Sequence, residues 1–148
     1  MSLDDVDPTF VQDLLNSDKY VDMAIDYYLR SEYRVSKPVT KIRPNVKVFN
    51  QYSDHGDFLV IGKGWVDVKH REHINFPPYP YGTVFICNVH AFQKHPMWQY
   101  FILNKKATHA LIIGGDTSRD WNKVTCQSRG RDRSFYEAPY EMFKLVDL

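Results

Sequence analysis

The spacing of hydrophobic and polar residues along this chain changes several times, and each change marks an element. In SDKYVDMAIDYYLRSEYRV, residues 17–35, Tyr20, Ala24, Tyr27 and Tyr28 fall at helical spacing, flanked by Val21, Ile25 and Leu29. Asp18, Asp22 and Asp26 recur every fourth residue. This predicts one amphipathic helix over about residues 18–31. Ser17 or Asp18 serves as its N-cap, because a short side-chain oxygen can accept from the orphan amides of a first turn. Residues 1–17 form an acidic lead-in with Pro8 and room for a short helix at TFVQDLLN.

Beyond a basic, proline-punctuated link, the pattern shortens to strand-like runs. NVKVFNQ (45–51) predicts a strand and SDHG a polar turn, after which DFLVI and WVDVK flank the turn GKG and predict a hairpin. After FPPYPYG, the apolar run in TVFICNVHAFQKHP leads into a short helix stopped by Pro96. WQYFILN and HALIIGG, separated by KKAT, predict a second strand pair, and WNKVTCQ a further strand. SRGRDRS reads as a basic, glycine-containing loop before an aromatic C-terminal segment. The order is helix, three strands, short helix and further strands, an α+β fold with a helix on a mixed sheet. The length of 148 residues fits a single domain over 1–148.

Composition narrows the class. Ten tyrosines, three tryptophans and 43% hydrophobic residues argue for a folded core. No apolar run reaches membrane-spanning length, and Asp4, Asp5 and Asp7 stand where a signal peptide would be basic, so the expectation is a soluble cytoplasmic protein. Cys87 and Cys126 lie far apart, which excludes a disulfide framework and a thiolate zinc site. The formal net charge of +1 hides a division: residues 1–32 hold eight acids and two bases, whereas residues 33–148 hold ten acids and seventeen bases. A basic body is compatible with a polyanionic partner.

The stretch GDFLVIGKGWVDVKHR, residues 56–71, carries the chemistry. Residues two apart on a strand share a face. A turn centred on Lys63 pairs Asp57 with Lys69, Leu59 with Asp67 and Ile61 with Trp65. Phe58, Val60, Val66 and Val68 then form an apolar face, and Asp57, Asp67 and Lys69 gather on the other. Paired carboxylates repel, and a shared hard cation such as magnesium or manganese relieves the repulsion. A nearby lysine can serve a water or a developing negative charge, as hydrolysis of a phosphodiester requires. The plainer alternative is a cross-strand ion pair between Asp57 and Lys69 with no catalytic role.

A helix, a strand, Asp57 at the head of a strand and Asp67-Val68-Lys69 on the next resemble the PD-(D/E)XK nuclease superfamily, over about residues 18–115. The resemblance is to small phage or Holliday-junction-resolvase-like members with a restriction-endonuclease-like fold. It implies a magnesium- or manganese-dependent deoxyribonuclease acting on DNA in a bacterial or phage-infected cytoplasm. Asp57 and Asp67 would be metal ligands, helped by the backbone carbonyl of Val68, and Lys69 the catalytic lysine. An acid from the first helix often joins such sites; Asp22 fits best and Asp26 second, although that residue is usually glutamate. Gly56 stands in place of the proline before Asp57, and aspartate replaces the commoner glutamate at position 67. The alternative is an inactive nucleic-acid-binding or assembly protein of the same fold. Restriction-type and junction-cutting members are usually dimers, so a homodimer is a further expectation, without a dimer signature in the sequence.

Phosphate contacts are expected from His70 or Arg71 beside the lysine, and from Arg129, Arg131 and Arg133, which alternate in the basic loop. His55, His73, His90, His95 and His109 show no metal-ligand spacing and read as structural or surface residues. Trp65, Trp98 and Trp121 could stack on bases, but large aromatics mostly serve cores.

Overall fold

The computed structural model describes residues 8–37, 56–128 and 130–148. The strand expected over residues 45–51 and the alternating residue Arg129 lie outside them. The first helix, α1, runs Pro8–Arg30, so Ser17 and Asp18 lie within it and do not cap it. Pro8 opens the helix at a position where its missing N–H costs nothing, and small polar residues within a helix cost only tenths of a kcal/mol each, about 0.5 against alanine. Its end is well defined. Tyr33 N donates to Tyr28 O at 3.0 Å and Glu32 N to Leu29 O at 3.1 Å, around Glu32 at φ 70°. This pairing closes a helix through a left-handed residue.

Among the described residues nine strands follow: β1 (Val35–Ser36), β2 (Phe58–Val60), β3 (Gly64–His70), β4 (Thr83–Asn88), β5 (Gln99–Leu103), β6 (His109–Gly114), β7 (Asn122–Ser128), β8 (Arg131–Pro139) and β9 (Lys144–Asp147). A short helix, α2 (Val89–Lys94), follows β4 directly. Six strands form one mixed sheet in the order β1-β2-β3-β5-β6-β9, and three form a second in the order β4-β8-β7. Within the large sheet only β3 and β5 run parallel among the described pairs, and the crossover between them carries β4 and α2. The fold is mixed α/β, rich in strands and poor in helix.

Alternation within the strands sorts the side chains into layers. Phe58, Val60, Val66, Phe101 and Leu103 bury against Val21, Ala24 and Tyr28 of α1. The intervening Tyr100, Ile102, Leu111 and Ile113 bury on the opposite face, against Val84, Ile86 and Ala138 of the small sheet. Central strands covered on both faces read as unbroken apolar runs, which is why YFIL and ALII lack alternation. Strand β3 is less covered, and of its residues only Val66 is fully buried.

The hairpin register differs from the sequence expectation. Phe58 pairs with Val66, Leu59 with Trp65 and Val60 with Gly64, so the turn centres on Gly62 rather than Lys63. Gly62 at φ 82° and Gly64 at φ 145° accept backbone that side-chain-bearing residues resist, which places the turn over Ile61-Gly62-Lys63. The change is two residues in pairing, and a strand has period two, so the faces are unaltered.

The basic segment expected as a loop is instead a hairpin. Strands β7 and β8 pair from Ser128 opposite Arg131 to Asn122 opposite Glu137, with Gly130 at φ 77° in the turn.

Candidate functional site

Strand β3 turns Trp65, Asp67 and Lys69 away from α1, toward the small sheet, while Val66 is fully buried beneath them. Strand β2 has only three residues, so past Val66 the β3 ladder needs another partner. Asp57 supplies it. Its amide donates to Val66 O at 2.9 Å, and its carboxylate Oδ2 accepts from the amide of Val68 at 2.7 Å. Continued one step, the observed register sets Asp57 across from Asp67, not from Lys69. The two carboxyls line the same cleft, near enough for the charge of Asp67 to act on Asp57.

Burial and the neighbouring charge of Asp67 push the Asp57 carboxyl up to about 7, against the opposing effects of the Val68 amide and the Lys69 charge. Lys69 Nζ lies 2.9 Å from Asp67 Oδ2, with both side chains a little over a quarter exposed. Two carboxyls and an ammonium, from β3 and from the residue before β2, thus meet at one place.

They line a cleft of about 560 Å³ whose other wall is β4 and α2. Asn88 builds that wall: its side chain accepts from His90 N at 2.8 Å and Ala91 N at 3.2 Å, starting α2 where β4 stops. His90, Lys94 and His95 thereby reach the cleft. Tyr100 stands beside Asp67 by the parallel register, and its hydroxyl accepts from Met97 N at 3.3 Å. Burial pushes the Cys87 thiol up to about 11, so it lines the cleft as a neutral group and not as a nucleophile.

No family model, curated protein or solved structure matches this chain.

The other residues singled out by sequence fall elsewhere. Asp22 and Asp26 lie on the exposed side of α1, across the sheet from the cleft, because Ala24 and Tyr28 take the inward face. Lys37 Nζ holds Asp22 at 2.8 Å and Arg30 holds Asp26 at 3.1 Å. His70 stacks on Tyr20 with ring centroids 4.0 Å apart, on the helix side of the sheet. Arg71 donates from Nη2 to Phe85 O at 2.7 Å, tying the end of β3 to β4. It is Val68's amide, not its carbonyl, that the structure brings to Asp57. Arg131 and Arg133 line a separate groove behind α2. The lining residues that sequence reading passed over are His90, His95, Lys94 and Tyr100. The Asn88 cap before VHAFQK and the Pro96 stop were the available signals for α2, but nothing local says that α2 faces Asp57.

Among the described residues no group of three or more His, Cys, Asp or Glu is arranged to hold a metal ion. The protein offers two carboxylates. That set suits a cation that keeps much of its water and takes further oxygens from a phosphate substrate, the habit of magnesium and manganese, and it does not suit zinc. Nor, among the described residues, is any helix long and apolar enough to cross a membrane.

Proposed function

We propose that the cleft is the active site of a metal-dependent nuclease that hydrolyses DNA phosphodiester bonds. The observation that carries this reading is the placement of Asp57 and Asp67 in the lining of one cleft, with Lys69 of the same lining held 2.9 Å from Asp67. Support for a restriction-endonuclease-like core of the PD-(D/E)XK kind comes from the element order: helix, antiparallel β2 and β3 bearing the acids and lysine, a crossover with α2, then β5 parallel to β3.

Asp57 and Asp67 would hold magnesium or manganese. A bound divalent cation supplies Lewis acidity and offsets the charge of the phosphodiester. Asp57 is kept in place for this by the Val68 amide, which fixes one carboxylate oxygen. Lys69, tethered by Asp67, presents its ammonium at the same rim, where it orients an attacking water or meets the negative charge that develops on the phosphate oxygens. His90 and Lys94 on the opposite wall add positive or proton-donating groups facing the substrate.

The test is incubation with duplex, single-stranded and branched DNA in magnesium or manganese. Cleavage should vanish in EDTA and fall about 100-fold or more in Lys69→Ala. Cleavage that survives Lys69→Ala sinks this assignment. Absence of cleavage on every substrate favours the non-cutting nucleic-acid-binding alternative.

A further inference from the structure

The cleft over Asp57 and Asp67 has a neighbour across α2. Behind that helix a groove of about 430 Å³ runs between α2 and the start of β8. Asn88 and His90 line both spaces, so the two meet over the beginning of α2. The groove's guanidinium groups come from alternate positions of β8, Arg131 and Arg133, which share a strand face.

The hairpin that presents them is pinned across its strands. Thr125 Oγ1 and Ser134 Oγ lie 2.9 Å apart, and Gln127 Nε2 donates to Asp132 Oδ1 at 3.2 Å. Asp132 is the one acid in the groove lining, and Gln127 engages its carboxylate. Arg133 Nε is buried without a hydrogen-bond partner among the described residues. A buried donor left without an acceptor is unfavourable, and an anionic oxygen is the acceptor that a guanidinium takes best.

We propose that this groove is a second phosphate subsite for the same substrate. A DNA strand crosses the start of α2 with the scissile phosphodiester over Asp57 and Asp67 and a neighbouring phosphate against Arg131 and Arg133. The proposal rests on the reading of the cleft as a nuclease site, and it adds a substrate requirement. The enzyme grips a polynucleotide, whereas a small diester, whose single phosphate sits over the carboxylates, never meets the arginines.

Binding and cutting test it separately. Anisotropy of a labelled DNA strand of about 12 nucleotides is titrated with salt in EDTA for the wild type, for Arg131→Gln with Arg133→Gln, and for Lys144→Gln, which removes an exposed charge on β9. Hydrolysis of bis(p-nitrophenyl) phosphate and of DNA is followed in magnesium. The double variant should bind DNA at least about tenfold more weakly, with the slope of log affinity against log salt reduced by about 2. Lys144→Gln should bind as the wild type does. The double variant should also keep its hydrolysis of the small diester while losing it on DNA, which shows that its fold and cleft are intact. An affinity and slope equal to the wild type, or a loss no greater than in Lys144→Gln, overturns the subsite. Failure of the wild type to hydrolyse either substrate, with the arginine effect on binding preserved, instead overturns the nuclease reading and leaves the phosphate grip standing.

Discussion

Asp57 is an acid placed where its charge is costly. Burial and Asp67 raise its carboxyl to about 7 in the folded protein against an ordinary 3.8. Between those values the folded state binds the proton that the unfolded chain has released, so stability falls as pH rises through this window and is level above it. In metal-free buffer, Asp57→Asn should therefore be more stable than the wild type above about 7, and this advantage should shrink as pH falls toward about 4. Thermal melts of the two proteins across that range check it; a difference that does not change with pH defeats the account. The acids and Lys69 could be read from sequence because strand alternation alone puts odd-numbered residues on one face. Asp22 could not be placed in the same way. A helix has an exposed face of its own, and only packing decides which of its acids turn inward; here Val21, Ala24 and Tyr28 took the sheet.

The β2–β3 hairpin shows what local patterning can and cannot decide. Its buried face was legible for Phe58, Val60 and Val66, all at 0% exposure, whereas Val68, expected on the same face, is only partly buried. Its turn was not, because GKG offers a glycine on each side of Lys63 and apolar burial is indifferent to a shift of two. Gly64 settles it: at φ 145° its site also places a notional Cβ 2.7 Å from Trp98 Cβ. Gly64→Ala should cost about 1–3 kcal/mol from the backbone alone, more with the clash, and should weaken metal binding because Asp57 and Asp67 lose their register. Phe58→Ala should cost about 3–5 kcal/mol as a core cavity. Urea titrations measure both, and a Gly64→Ala protein as stable as the wild type would remove the glycine from the explanation. The SRGRDRS segment was misread for a related reason. Gly130 and three arginines look like a loop, but a positive φ at a turn and alternating long side chains are equally the signature of a hairpin tip.

For the whole molecule, the large sheet separates α1 from the small sheet, and the candidate site lies on the side without α1. The division into two sheets was not legible, because β4 pairs with β8 across about fifty residues and no local signal names so distant a partner. Part of the charge division found in the sequence maps onto the layers: among the described residues Asp22 and Asp26 are exposed on α1, on the far side, while Lys69, Lys94, Arg131 and Arg133 stand on the cleft side with Asp57, Asp67 and Asp132. A divalent cation that binds only the folded protein stabilises it by mass action, by about 2.7 kcal/mol at roughly 100 times its dissociation constant. Magnesium should thus raise the melting temperature of the wild type and leave that of Asp57→Asn unmoved; equal shifts in both would place the cation elsewhere.

The acids belong to the six-stranded sheet and the two arginines to the three-stranded one. Among the described residues no single strand spans from one set to the other. Their separation is fixed by the apolar filling between the sheets, where Tyr100, Ile113 and Trp121 meet Ile86, Tyr136 and Ala138. That core acts as a spacer of set thickness. A side chain enlarged within it would leave every charged group intact and still move one set of charges relative to the other.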